Sequence, residues 1–491
     1  MSDASARADR GPVVAVVGGG ASGALTAVHL LRRAEASGAA VRMVLVDRHG
    51  RHGLGQAYAT ADPRHLLNTC VSKMSALADD PGHLLRWARE TGMDVAGSDF
   101  LPRGVYGRYL REVLAAARGP WPGGRLTQVT GTVTSLTGPG SSRPLRVHLS
   151  NGGQIDADAV VLATGNRAPA EWPQIAAGPR YVADPWAPDA LTGIRDGAPV
   201  LVVGTGLTMV DLAVTLTQAN PDTVVYAVSR HGLLPRRHRC PTPPLAEVSL
   251  PSGDLRLAGL LHAVRVAVKD NGGEWQGVID ALRPQVPRLW ARLSMEDRRR
   301  FMALVARYWE VHRHRIPPAT ASRITALQAA GRLRILRGRL ISATGRDGLT
   351  VRLDGDGGPR ELRVGWLVNG TGPASEVTTD AFLGDLITAG LARPDPLRLG
   401  LDADEGGAVL DVTGRPHERI FTLGPTLRGL RYETTAIPEI RAQAAALAPR
   451  LIEAIRELSP AHAASAVAGQ RTAHAFTTRS PHQGASSTAS A

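Results

Sequence analysis

The sequence predicts an α/β fold of the doubly wound type, and three observations carry the prediction. Short apolar runs rich in valine or alanine recur at residues 13–17, 41–46, 159–163 and 200–203, each of strand length and each followed or closed by Gly, Asp or Thr-Gly. Buried parallel strands whose turns open at their carboxyl ends have this pattern. Helix-forming stretches separate the runs, notably 24–36 and 210–218. Two of the runs lead straight into glycine-rich turns that precede a helix, at 18–23 and 204–209. Weaker strand candidates follow at 224–228, 366–369 and 420–423.

Composition agrees with a globular chain. At about 150 residues per domain, 491 residues make roughly three domains. A content of 43% hydrophobic and 21% charged residues excludes a wholly disordered or fibrous protein. The formal charge is +13, yet only Lys73 and Lys269 are lysines, the other basic residues being arginine. Arginines scattered in an Ala-, Gly- and Pro-rich chain point to GC-rich coding rather than a nucleic-acid surface, so no nucleic-acid partner is expected. The charge still favours anionic cofactors and small acidic substrates. Cys70 and Cys240 lie too far apart for a redox pair or metal cluster, which predicts a disulfide-free, cytoplasmic protein with no metal site. The polar first eleven residues resemble neither a secretory signal nor a transit helix. Residues 13–31 lack formal charge, but three adjacent glycines argue against a membrane span.

Along the chain, strand signals fade between 255 and 328, where arginines and aromatic residues sit on predicted helices at 289–293 and 299–309. This segment reads as a helical insertion or lid. Stretches 129–157 and 334–364 alternate apolar and polar residues between Gly-rich turns, as three-stranded antiparallel meanders do. The Ser-, Thr- and Ala-rich tail, 470–491, is expected to be disordered.

The first glycine turn reads Gly18-x-Gly20-x-x-Gly23. Gly18 permits the tight reversal, Gly20 removes a side chain that would block a pyrophosphate, and Gly23 lets helix pack on strand. The amides of Ser22 and its neighbours are then free for phosphate oxygens. The next strand ends in Asp47, 24 residues after Gly23. A carboxylate there accepts ribose hydroxyls and repels a 2′-phosphate, which suits FAD or NAD. The alternative is a plain Gly-rich turn with Asp47 capping a strand end.

The second turn reads Gly204-x-Gly206-x-x-Met209, with Thr208 in its first helical turn. Methionine in place of the third glycine predicts a wider helix–strand separation. Here the following strand ends in Ser229-Arg230-His231, and Arg230 at that place can form charge-assisted bonds to a 2′-phosphate. The site therefore reads as one for NADPH, while Arg236, Arg237 and Arg239 either hold phosphates or solvate a loop. One site against a 2′-phosphate and one for it imply an electron relay from NADPH to a flavin.

Other segments complete a resemblance. A strand ends in Ala163-Thr164-Gly165, and a similar ending, Asn369-Gly370-Thr371-Gly372, lies later. Residues 420–425, closing in Gly424-Pro425, precede Thr434-Thr-Ala-Ile-Pro438 at a helix start. With its Gly-Thr-Gly-Leu-Thr-Met-Val-Asp motif at 204–211, the chain resembles two-dinucleotide-binding FAD/NAD(P)-binding proteins from about residue 13 to 451. It is similar in layout to flavin-dependent N-hydroxylating monooxygenases.

That resemblance implies two Rossmann-like dinucleotide-binding domains, the NADPH domain inserted in the FAD domain: 12–170 and 360–455 for FAD, and 196–345 for NADPH with the helical insertion at about 255–328. Thr164 and Gly165 would mark the crossing between domains and Gly372 the return. Gly424 and Pro425 would approach the ribityl phosphate, and the helix after Pro438 would aim its positive end at the flavin. Segments 53–58 and 65–74 resemble the loop beside the isoalloxazine, and 101–110 the opening of the following helix. This makes Asn68 and Lys73 candidates facing flavin and substrate, with a self-bonded loop asparagine and an exposed loop lysine as the plain alternatives.

His312, Arg313 and Arg315 are further candidates for an anionic substrate or NADPH phosphates, against a simple cationic helix end. No Cys pair lies beside the flavin loop, and the segment 165–171 before Trp172-Pro173 contains no histidine, which counts against thiol relay and ketone oxygenation. The expected activity is FAD- and NADPH-dependent oxygenation of a small polar substrate by dioxygen, N-hydroxylation preferred, through a C4a-hydroperoxyflavin. The alternatives are an NADPH reductase or dehydrogenase of an organic acceptor and a non-catalytic redox sensor. The sequence sets neither the substrate nor the oligomeric state.

Overall fold

The computed structural model describes residues 11–119, 122–138, 144–172, 175, 178–251 and 253–457. The expected disordered tail lies outside them. In chain order the first part comprises β1 (Val13–Val17), α1 (Ala21–Ser37), β2 (Val41–Asp47), α2 (His83–Glu90), α3 (Arg103–Ala116) and β3 (Gly124–Thr130). The meander β4 (Val133–Thr137), β5 (Leu145–Leu149) and β6 (Gln154–Ala157) then leads to β7 (Ala159–Leu162). A second unit contains β8 (Tyr181–Val182), β9 (Val200–Val203), α4 (Leu207–Ala219) and β10 (Val225–Ser229). Helices α5 (Leu257–Asp270), α6 (Trp275–Leu282), α7 (Val286–Arg292), α8 (Met295–Arg300), α9 (Ala306–Arg313) and α10 (Pro318–Ala329) follow.

The chain then forms β11 (Leu333–Arg337), the meander β12 (Arg339–Thr344), β13 (Leu349–Gly355) and β14 (Gly358–Val364), and β15 (Trp366–Asn369). It closes with α11 (Ala381–Thr388), β16 (Ala408–Leu410), β17 (Pro416–Thr422), α12 (Arg428–Arg431) and α13 (Ile437–Glu457).

These elements make two mainly parallel sheets, which the α/β prediction required. The first has the order β16-β17-β7-β1-β2-β3 and only β16 runs antiparallel; the second, β11-β10-β9-β15-β8, is parallel throughout. The central strands of both are buried on two faces, which is why they read as unbroken apolar runs. Helices α1, α3 and α13 cover one face of the first sheet, and the meander β4–β6 with α11 covers the other. The second sheet is covered by α4 and α10 on one side and by β12–β14 on the other. The helical insertion has its own core around Trp290, Phe301 and Leu289.

Three expectations need adjustment. Residues 129–130 and 334–337 belong to parallel strands rather than to the meanders. Strand β3 escaped the sequence reading because Gly124–Thr130 is a polar, half-exposed edge. Strand β15 lies in the second sheet, Trp366 paired to Val200 and Asn369 to Val203, so the chain returns to the first unit only after residue 369 rather than near 360. Both cysteines are free thiols. Among the described residues no helix is long and apolar enough to cross a membrane, and no group of three His, Cys, Asp or Glu could hold a metal.

Candidate functional site

The first glycine turn is shaped by contacts that only glycine tolerates. Gly18 has φ +110°, and a Cβ there would lie 2.2 Å from the Ala163 carbonyl oxygen at the end of β7. On Gly23 a Cβ would lie 1.9 Å from the Gly18 carbonyl oxygen, so helix and strand meet without intervening side chains. Gly20 is the extended N-cap of α1, and a Cβ there would lie 3.2 Å from the Gly55 Cα in the loop 53–58, whose Gly53 amide donates to the Gly19 carbonyl. The amides of the first α1 turn are therefore presented at a side-chain-free turn, an anion cradle.

Asp47 caps the end of β2 and also borders the glycine turn. Its Oδ1 accepts the amides of His49 and Arg51 at 2.9 and 2.8 Å, a capping role. Its Oδ2 faces the glycine turn, 3.1 Å from where a Gly19 Cβ would be. At the end of β7, the Thr164 hydroxyl is buried without a hydrogen-bond partner beside Gly165, which has φ +73°. A buried orphan hydroxyl costs about 1–3 kcal/mol unless a ligand satisfies it.

Gly424, φ +74°, closes the cradle from β17: a Cβ would meet the Ser22 hydroxyl at 2.8 Å. Its amide donates to Gln443 Oε1, its carbonyl accepts from Thr434, and Gln443 also donates to Thr434. Gln443 thus ties the Gly424-Pro425 turn to α13. It was not identified from sequence, where a lone helical glutamine carries no signal.

The second cradle repeats this geometry. Gly204 has φ +117°, and a Cβ there would lie 2.2 Å from the Gly370 carbonyl oxygen, matching the Gly18–Ala163 contact. Gly206 caps α4 in the same extended conformation as Gly20, and a Cβ on it would meet nothing within 4 Å. Met209 is fully buried in the second core. Thr208 lies half-buried in the first α4 turn, and Gly372, φ +78°, borders open space after β15.

Ser229 is already engaged: its hydroxyl bonds Thr205 at 2.8 Å and accepts from the Gly232 amide. Arg230 is exposed and makes no hydrogen bond or ion pair among the described residues. Burial and then Arg307, Arg230, Arg337 and Arg339 together push the His231 imidazolium below its usual range, which shows how many cations meet there. Arg337 ends β11, directly beside Ser229 in register. Arg307, Arg337 and Arg339 were not recognised from sequence because they join Arg230 only through folding.

Between the units, Asn68 and Lys73 come together with a residue from the second unit. His238 Nε2 donates to the Asn68 carbonyl at 3.0 Å and its ring packs on Phe100 at 5.0 Å. Lys73 is exposed in a short 3-10 turn, without a hydrogen bond or ion pair among the described residues, and its charge reaches His238. Burial first, then Arg315, push His238 down to about 4. The unfolded chain protonates this histidine near 6.5, whereas the native state refuses the proton until about 4. Its contribution is therefore complete above 6.5 and is lost between 6.5 and 4, about 3 kcal/mol in all. We expect urea midpoints to fall more steeply over this interval in the wild type than in His238→Gln; parallel pH profiles would reject the assignment.

The remaining substrate candidates lie elsewhere. Arg313 is buried between Glu433 at 3.2 Å and Glu439 at 3.8 Å, and Arg315 is buried against Asp280 and Gln276. Both guanidinium groups neutralise internal carboxylates. His312 bonds the Tyr308 carbonyl and packs edge-on to Trp275 in the helical insertion. Arg236 and Arg237 instead lend their backbones to short pairings, with residues 311 and 316.

The last residue of the 204–211 motif has a different task from its glycines. Asp211 forms a 2.8 Å ion pair with Arg103 at the start of α3, both side chains largely buried. One turn on, the Thr215 hydroxyl donates to Asp62 and lies 2.8 Å from His65 Nε2. These contacts hold α4 of the second unit on the first.

Residues 15–167 match a protein family described as FAD-NAD(P)-binding. A search of curated proteins by sequence finds no match. Among solved structures, the ornithine hydroxylase of Pseudomonas aeruginosa is 14% identical with a TM-score of 0.60, covering 91% of this chain and 100% of its own. The ornithine N-hydroxylase of Kutzneria sp. 744, described with reduced FAD, NADP+ and L-ornithine, is 16% identical, with TM-score 0.60 and coverage of 91% and 99%. The L-lysine 6-monooxygenase of Pseudomonas syringae is 16% identical, with TM-score 0.59 and the same coverage. The chain is therefore similar in fold to amino-acid hydroxylases over nine-tenths of its length, and its residues 15–167 match an FAD-NAD(P)-binding family.

Proposed function

We propose that the protein is an FAD-dependent, NADPH-consuming monooxygenase that hydroxylates a small polar substrate, with an amine nitrogen as the preferred target. The observation that carries this reading is the pair of similar glycine cradles with opposite charge at the neighbouring strand end, Asp47 in one and Arg230 with Arg337 in the other. The orphaned Thr164 hydroxyl and the open side of Gly206 fit bound dinucleotides. When bound, NADPH supplies hydride and the flavin hands the electrons to dioxygen for oxygen transfer.

The chain's own residues bind, orient and shield. The first-turn amides of α1, with Ser22, Gly424 and Pro425 around them, hold the FAD phosphates, and Asp47 Oδ2 takes the adenosine ribose. The α4 amides and Thr208 hold the NADPH pyrophosphate, while Arg230 and Arg337 grip the 2′-phosphate. Lys73 offers its ammonium group to a substrate carboxylate and Asn68 its amide to flavin or substrate. His238, neutral at pH 7, fixes the Asn68 backbone and adds no charge of its own beside Lys73.

The purified protein should be yellow and should bleach anaerobically with NADPH. Aerobic NADPH consumption across amino acids and polyamines should give hydroxylated product; stoichiometric peroxide with every amine would replace oxygenation by reductase chemistry. Arg230→Ala should raise KM for NADPH about tenfold and leave KM for NADH nearly unchanged. Equal changes would remove Arg230 from the 2′-phosphate site.

A further inference from the structure

The helical insertion lines an open cavity of about 340 Å³, separate from both cradles, bounded by α5, α6, α7, α9 and Tyr432. This volume lies within the range of small-molecule sites. Its walls are nearly all apolar, with Leu261, Val264, Ile279, Trp290 and Phe301 prominent. Three of the aromatic side chains in the lining have their polar ends satisfied by protein: Trp290 Nε1 donates to the Gly429 carbonyl, Trp309 Nε1 to Glu433, and the Tyr432 hydroxyl to Glu310. Most of the surface left for an occupant is therefore apolar.

Two backbone irregularities shape the same walls. Residues 301–305 form a π-helical turn, and Tyr432 holds φ +57°, ψ −61°, a strained conformation for a bulky residue. Packing on Trp290 at 4.8 Å and on Phe301 at 5.0 Å fixes Tyr432 there. The lining also includes Arg265, which is exposed and makes no hydrogen bond or ion pair among the described residues; Lys269 follows one turn further along α5.

From these features we infer that the cavity is a binding site for a medium-chain apolar monocarboxylate, its chain among the aromatic and branched residues and its carboxylate at Arg265. Each methylene so buried should tighten binding about fourfold, and the exposed ion pair selects the headgroup. The site does not depend on either nucleotide, so its test is separable from that of the proposed activity.

Calorimetric titration of the full-length protein with octanoate, octan-1-ol and octylamine decides the matter. Octanoate should bind saturably at one site, with octylamine weaker by about fivefold. Arg265→Glu, an exposed substitution, should reverse that order, and Val264→Trp should abolish binding by filling the cavity. No saturable heat from octanoate, an unchanged order in Arg265→Glu, or a dimer in sedimentation that Val264→Trp dissociates would overturn the proposal, the last by assigning the cavity mouth to a second copy of the chain.

Discussion

Gly23→Val is expected to yield a protein that loses flavin on gel filtration and unfolds at a markedly lower urea concentration. The first atom of any side chain there would sit 1.9 Å from the Gly18 carbonyl oxygen and 3.0 Å from the Leu45 side chain. Backbone cannot yield as a flexible side chain can, so α1 must move off β1. Overpacking of a tight core costs about 1–3 kcal/mol, and a clash with backbone belongs at the upper end. The same movement withdraws the α1 amides from the phosphate position. Gly206→Ala is the control: its added methyl meets nothing within 4 Å, so stability should be unchanged while NADPH affinity falls. A Gly23→Val protein that keeps its flavin and midpoint would mean that the helix packs less closely than the geometry requires.

Asp211→Ala is expected to destabilise the protein by about 3–5 kcal/mol, because it leaves the Arg103 guanidinium largely buried without its carboxylate. Burial pushes the Asp211 carboxyl above its usual range, and Arg103 opposes this. Asp211 is thus held in place at a cost that its partner offsets only in part. The double replacement Arg103→Met with Asp211→Leu should recover most of the loss, since removing both charges removes both desolvation penalties. Urea denaturation of the three variants checks this. Limited proteolysis near residues 165–175 and 370–375 should also quicken in the single variant if α4 loosens from α3. A loss in the double variant equal to that in the single would show that the ion pair itself, rather than an unpaired charge, governs stability.

The two cradles were legible because their information is local. A strand, a turn needing positive φ at Gly18 and Gly204, and a helix N-cap at Gly20 and Gly206 lie within a dozen residues, and no distant contact is required to recognise them. Asp47 and Arg230 were legible for the same reason: each closes the strand that pairs beside its cradle. Arg313 and Arg315 show the opposite case. A run of alternating His and Arg reads as a ligand-facing surface, yet Glu433, Glu439 and Asp280 arrive from other helices and neutralise both guanidinium groups.

The sequence by itself determined the α/β class, both glycine turns and the sign of charge at each neighbouring strand end. Tertiary structure alone decided that β15 joins the second sheet, that Arg307 and Arg337 reinforce Arg230, that His238 meets Asn68, and that Asp211 spans to Arg103. The physical reason is that φ, capping and strand-end charge are set by neighbouring residues. An apolar strand buried on both faces is chemically interchangeable with its neighbours, and an arginine's role depends on which carboxylate or phosphate the fold brings within reach.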